Sequence, residues 1–184
     1  MKKQCILLIG ILSAASVYAN TEVLFKHQFD ISGVVVASSC SVTVESGTSK
    51  RGLINFGQYN QSKSEGDLTQ PFSVKLYEPG SSTPGCSAFW AGSRLVTLKF
   101  GDQGQLDARG VVTRGAGDDI RIAITSTDRE ASNQDVISSK NSVLAYPQDF
   151  ATKGVFGFSA KAEGLDSAMP GDYRGSLSLV VSYK

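Results

Sequence analysis

The chain has 184 residues, with 18 Lys and Arg against 17 Asp and Glu, a single His and a formal net charge of +1. A balance this close to neutral excludes a protein built around binding nucleic acid or holding an anionic membrane by charge. The first elements lie in the leader: Lys2 and Lys3, the apolar run Ile6 to Leu12, and a small-residue exit at Val17-Tyr18-Ala19. That order is a secretory signal peptide, and its apolar run is far short of the roughly 20 residues a membrane-spanning helix needs. Residues 1–19 are therefore expected to be removed, leaving about 165 residues, enough for one domain with a real core. Cys5 leaves with the leader. Cys40 and Cys86 remain as an even pair in an oxidising compartment, where a disulfide is expected. Closing a loop of about 46 residues stabilises a fold by up to about 4 kcal/mol on the chain-entropy model.

Along the mature chain, apolar and polar residues alternate with period two between glycine-rich turns, and no stretch carries the stripe of a long amphipathic helix. The alternation predicts strands over Val23 to Ile31, Gly33 to Ala37, Ser41 to Val44, Leu53 to Phe56 and Phe72 to Tyr77. It continues over Arg94 to Phe100, Gly110 to Thr113, Ile120 to Thr125, Gly154 to Ala162 and Tyr173 to Tyr183. Short strands joined by turns indicate an all-β sandwich. The segments 61–67, 78–85, 101–105, 115–119 and 128–141, rich in Gly, Ser, Asn, Asp or Pro, are expected to be surface loops.

Residues able to carry chemistry are sparse. His27, the one histidine, sits in the first mature strand without the neighbours that a nucleophile–base pair or a zinc site requires; it reads as a strand residue facing solvent or a groove. Asp118-Asp119, Asp166 and Asp172 lie beside glycines in expected turns, where Asp favours local hydrogen bonds, rather than as a facing carboxylate pair. The glycines at 101–104 and 115–117 lack the following helix of a phosphate cradle. No catalytic residue, metal site or cofactor is expected. Trp90, beside Phe89 and close after Cys86, reads as core packing next to the disulfide, with a sugar-stacking platform as the alternative.

The two ends carry more information. Val23, Phe25, His27, Phe29 and Ile31 share one face of the first mature strand, against Glu22, Leu24, Lys26, Gln28 and Asp30 on the other. A strand at a free end can pair within its own sheet or complete another. At the other end Tyr173, Leu177, Leu179, Val181 and Tyr183 fall together, one residue before Lys184. An apolar strand left at an edge is an aggregation hazard unless something covers it.

Five pieces in this order, with the leader, size and cysteine pair, carry a resemblance. They are Gly33-Val34-Val35 leading to Cys40, Leu53-Ile54-Asn55-Phe56-Gly57, Pro71 to Leu76, Phe156 to Ala160, and the end from Gly171 to Tyr183. Over essentially its whole mature length the chain resembles the pilins of chaperone–usher fimbriae, the type 1 and P pilus subunits. The resemblance implies an incomplete immunoglobulin-like β-sandwich that lacks its last strand and is completed in trans by donor-strand complementation. Residues 20–32 would be the donor-strand extension and 33–184 the pilin domain. Val23, Phe25, His27, Phe29 and Ile31 would form the donor face. Leu177, Leu179, Val181 and Tyr183 would edge the acceptor groove, with Lys184 presenting the terminal carboxylate to a chaperone.

The implied partners are a periplasmic pilus chaperone, an outer-membrane usher, neighbouring pilin subunits and a host receptor if the subunit adheres. The implied location is a fimbrium on the bacterial cell surface, reached through the periplasm. The role would be that of a structural subunit contributing to cell adhesion, whether minor, adaptor or shaft. Donor strands in that family often place a glycine at one alternate position, whereas His27 stands mid-face here, and the loop from Tyr77 to Gly85 is longer than usual before the second cysteine. The alternative is a free-standing secreted carbohydrate-binding β-sandwich or adhesin, which would need no partner strand.

Overall fold

Alternation becomes packing in the longest strand pair. In Thr69–Tyr77 the side chains of Phe72, Val74 and Leu76 are buried, and in Val155–Glu163 those of Phe156, Phe158, Ala160 and Ala162. The two strands run antiparallel with Phe72 opposite Phe158, and their rings stack at 5.2 Å. A computed structural model describes residues 40–47, 52–92, 94–115 and 119–183, all within the unit Val36–Lys184. The expected strands Val23 to Ile31 and Gly33 to Ala37, the leader and Lys184 lie outside the described residues.

Nine strands are described: β1 Ser41–Glu45, β2 Thr69–Tyr77, β3 Leu95–Phe100, β4 Val111–Gly115, β5 Arg121–Ser126, β6 Val143–Pro147, β7 Val155–Glu163, β8 Tyr173–Gly175 and β9 Leu179–Tyr183. They form a six-stranded sheet ordered β1-β2-β7-β5-β4-β8 and a three-stranded sheet ordered β6-β3-β9. Every pairing is antiparallel. The sheets share one core, in which the ring of Phe100 on β3 meets that of Phe158 on β7 edge-on at 5.5 Å. A second aromatic group joins Tyr146, Phe150 and Phe156. Burial pushes the Tyr146 phenol up to about 12, so it stays neutral and shares a hydrogen bond of 2.9 Å with Ser126. The all-β expectation holds.

Four local expectations change. Leu53 to Phe56 alternates, with Ile54 and Phe56 packed against the core and Leu53 63% exposed, but it belongs to no strand. Periodicity reports which side is apolar; a strand also needs a neighbour to bond. The predicted strand Tyr173 to Tyr183 is two strands in different sheets: β8 pairs with β4 and β9 with β3. At the crossing, the Ser178 carbonyl accepts from the Gly101 amide at 2.8 Å and the Ser178 amide donates to Gln105 Oε1 at 2.9 Å. Strands that switch sheets make the corners of a sandwich, and continuous alternation conceals the switch.

Third, β6 was not expected. It has only five residues and ends in Pro147, which a strand at a sheet edge tolerates and which leads directly into the short helix α1, Gln148–Ala151. Fourth, the segment 128–141 is not wholly a surface loop: Ile137 is fully buried and its amide donates to the Ile124 carbonyl at 2.8 Å. The remaining expected strands that fall on described residues match their positions to within a few residues.

Candidate functional site: a cleft beside the last strand

β9 stands at the end of its sheet, with β3 on one side and no described strand on the other. Its register with β3 sets Leu179 opposite Phe100, Val181 opposite Leu98 and Tyr183 opposite Val96, three buried residues, so these side chains face the core. Val180 points the other way and is 55% exposed. The strand therefore offers a row of backbone N–H and C=O groups along an edge whose inner side is apolar.

Beside that edge lies a cleft of about 1600 Å³. Leu177 and Leu179 form part of one side, and the segment 52–61 lines another. Phe72, Val74, Phe100, Ile122 and Ile124 from both sheets line its floor. Segment 52–61 is held at its two ends rather than along its length. At one end the Gly52 amide donates to the Val44 carbonyl at 3.0 Å. At the other, the Tyr59 hydroxyl donates to Asp166, and Gln61 Nε2 donates to the carbonyls of Leu165 and Ala168, both at 2.6 Å. Between these ties Asn55 accepts from the Gly57 amide at 2.8 Å, and among the described residues no strand runs alongside.

The floor of the cleft is apolar, whereas its walls and rim carry polar groups, among them Asn55, Gln58, Gln61 and Ser176. Glu65 lines the cleft from the 60–66 turn, Asp172 from the approach to β8 and Arg174 from β8 itself. The hydrogen bond to Asp166 raises the Tyr59 phenol above its ordinary value, and burial raises that of Tyr173; both stay neutral near pH 7. Asp166 serves as the acceptor that ties Tyr59 down. Among the described residues no group of three His, Cys, Asp or Glu could hold a metal ion.

The sequence-predicted site residues fall into three groups. Cys40 and Cys86 form a disulfide with Cα atoms 5.9 Å apart, and joins the start of β1 to a 3₁₀ turn over Ser87–Ala91. Leu177 and Leu179 line the cleft; Val181 is half-buried further along β9, and Tyr183, 40% exposed, lies edge-on to Phe89 at 5.5 Å. Val23, Phe25, His27, Phe29, Ile31 and Lys184 lie outside the described residues. Sequence reasoning missed the floor and the 52–61 wall as parts of one site, although the alternation of Ile54 and Phe56 without a partner strand was a signal for the wall. It also placed Trp90 in the core. The 3₁₀ turn buries Phe89 and turns its neighbour outward, leaving Trp90 60% exposed.

Comparison with known proteins gives three findings. The family model described as K88 fimbrial protein A matches residues 1–184. A curated relative, the F107 fimbrial protein of Escherichia coli, is 25% identical over 172 residues, covering 93% of this chain and 94% of that protein. Among solved structures, the crystal structure of the P pilus rod subunit PapA is 16% identical, covers 86% of this chain and 100% of its own, and superposes with a TM-score of 0.48.

Proposed function

The chain belongs to the K88 fimbrial protein A family, and from its place among fimbrial subunits of the chaperone–usher type we propose that its cleft is an acceptor groove for a strand supplied by a neighbouring subunit. Members of this family are exported structural components of surface fimbriae rather than enzymes, and subunits of a fimbria associate with one another. The finer reading concerns how they join. The single observation that supports it is that β9 and the stretch 53–59 of the wall, neither of which has a further strand beside it among the described residues, border one cleft floored by the core of both sheets.

A strand laid into this cleft would gain main-chain hydrogen bonds along β9 and place every second side chain over the apolar floor. Main-chain pairing gives affinity, and the alternate side chains fix register. The occupant is the mature N-terminal segment 20–32 of the next subunit, with Val23, Phe25, His27, Phe29 and Ile31 facing inward. Before assembly the same cleft would be filled by a strand of a periplasmic chaperone, which also grips the carboxylate of Lys184. At the outer-membrane usher the subunit's strand would replace it. Exchange of a poorer complement for a better one requires no nucleotide, metal or catalytic residue. The role that follows is structural. Trp90, exposed on the 3₁₀ turn that follows Cys86, is an aromatic available for a contribution to adhesion.

The test is Phe25→Asp. An isolated carboxylate driven into an apolar cleft costs several kcal/mol, so polymerisation measured by size should be lost. Binding to the chaperone should persist, because that contact uses the cleft and Lys184 rather than the donor segment. Loss of both, or retention of polymers, would contradict the reading.

A further inference from the structure

The three-stranded sheet ends in β6 on one side and β9 on the other, and the pairings fix which backbone groups each presents outward. The Phe100 amide donates to the Ser142 carbonyl at 2.8 Å. In the register of β3 with β6, Leu144 and Tyr146 therefore bond to β3, and Val143, Ala145 and Pro147 turn their backbone groups away from it. On the other side the Gly101 amide donates to the Ser178 carbonyl at 2.8 Å, so Leu179, Val181 and Tyr183 turn theirs outward from β9. We propose that the segment 128–141 guards the β6 edge against an added strand, so that this sheet takes one up on its β9 side alone. The closure of β6 stands on its own geometry; that β9 accepts a strand rests on the reading above.

The two edges differ in what they leave unbonded. On β9 the outward amides and carbonyls of Leu179, Val181 and Tyr183 have no partner among the described residues. On β6 the Ala145 carbonyl accepts from the Ser132 amide at 2.8 Å, and the Ala145 amide donates to the Ser132 hydroxyl at 3.0 Å. Pro147 has no N–H to offer, and as the residue capping α1 it turns its carbonyl to that helix. Of these outward positions on β6, Val143 alone keeps both groups without a partner among the described residues. An added antiparallel strand bonds to alternate residues in succession, and one isolated position gives it no ladder.

Segment 128–141 is long for a connection between two strands, and it is tied down along its length. At its start Asp128 Oδ2 accepts from the Gly157 amide of β7 at 2.8 Å. The approach is close enough that a Cβ at Gly157 would stand 2.5 Å from Thr127 Oγ1. Further on, the buried Ile137 bonds to β5 through Ile124, and the Ser139 amide donates to the Asp107 carbonyl at 2.8 Å. The side chains of Asn133 and Asn141 bond each other at 2.9 and 3.3 Å, and Ser138 and Asn141 exchange backbone bonds at 3.1 Å. These ties lay Ser132 against Ala145 independently of the two bonds it makes there. A change at Ser132 therefore opens the edge without releasing the segment. The strand that an opened β6 would meet is the β6 of a second copy, because two identical strands pair antiparallel about a twofold axis and satisfy both edges at once.

The experiment takes as parent the full mature chain carrying Phe25→Asp, which the reading above leaves unable to supply a strand of its own. Three chains are compared with it: Ser132→Ala, Ser132→Pro, and Ser132→Pro together with Val143→Pro. Hydrogen exchange is followed at the Ala145 amide, and mass by sedimentation at rising concentration. Ser132→Ala removes the acceptor of that amide, so its exchange should quicken roughly fivefold while the amides of β3 stay as they were. Ser132→Pro removes the hydroxyl and the N–H together, and dimers should form that grow with concentration. Val143 is the first residue of β6 and turns its amide outward, so Val143→Pro costs no bond to β3 and should return the chain to monomer. Unchanged exchange at Ala145 in Ser132→Ala, a folded Ser132→Pro chain that stays monomeric at every concentration, or dimers that survive Val143→Pro would each overturn the guard. If Ser132→Pro does not fold, exchange in Ser132→Ala decides alone. Polymers of the parent would count against the donor-strand reading and not against the guard, which exchange at Ala145 reports within each chain.

Discussion

Asp107 is held from three directions. Its Oδ2 accepts from Arg121 Nε at 2.5 Å, and its Oδ1 accepts from the amides of Arg109 at 2.8 Å and Gly110 at 3.2 Å. Burial pushes its carboxyl up, but Arg121 and the two amides together outweigh it and hold the group below its ordinary value. An acid lowered in this way adds stability that is complete above its unfolded value, near 3.9, and is lost as the pH falls through and below it. Asp107→Asn should therefore cost about 1 kcal/mol at pH 7, since the carboxylate is partly exposed, and should flatten the fall in stability below about pH 4. Denaturant titrations at several pH values would measure both, and an unchanged slope would rule out the pair as a source of acid sensitivity. At this scale the cysteine pair was legible because two thiols in an oxidising compartment leave one partner each. Trp90 was not legible, because which of two adjacent aromatics a 3₁₀ turn buries depends on what lies beneath it.

At the scale of elements, the crossing from β8 to β9 decides the shape of the cleft. Gln105 Oε1 accepts from the amides of Asp102 and Ser178, both at 2.9 Å, and contacts the Ser178 hydroxyl at 3.0 Å. The side chain of a loop thereby fixes the point where the chain leaves one sheet for the other. Gln105→Ala should leave two amides without this acceptor, cost about 1–3 kcal/mol, and raise hydrogen exchange first at Ser178 and the start of β9. Exchange rising evenly over the whole sandwich would show that the crossing is not a local anchor. Alternation revealed which residues of 173–183 face inward. It could not reveal that β8 and β9 serve different sheets, since a sheet switch preserves the inward side. The wall 52–61 shows the converse: its pattern is that of a strand, and the partner that would make it one is absent among the described residues.

At the scale of the molecule, a sandwich whose β9 has no strand on one side among the described residues should gain stability when that side is filled. A ligand that binds only the folded chain stabilises it by about 2.7 kcal/mol at one hundred times its dissociation constant. For a domain of this size that corresponds to a rise in melting temperature of roughly 5–10 °C. A peptide copying residues 20–32 should produce that rise with the Phe25→Asp chain, and a scrambled peptide should not; equal effects of the two would argue against an acceptor groove. By itself the sequence determined the disulfide pair, the all-β class and the inward-facing sides of the strands. Each depends on local chemistry or on side-chain period. The cleft was decided only by the tertiary structure, because it is a relation between β9, the wall 52–61 and a floor drawn from both sheets, brought together by backbone pairings that no local pattern encodes.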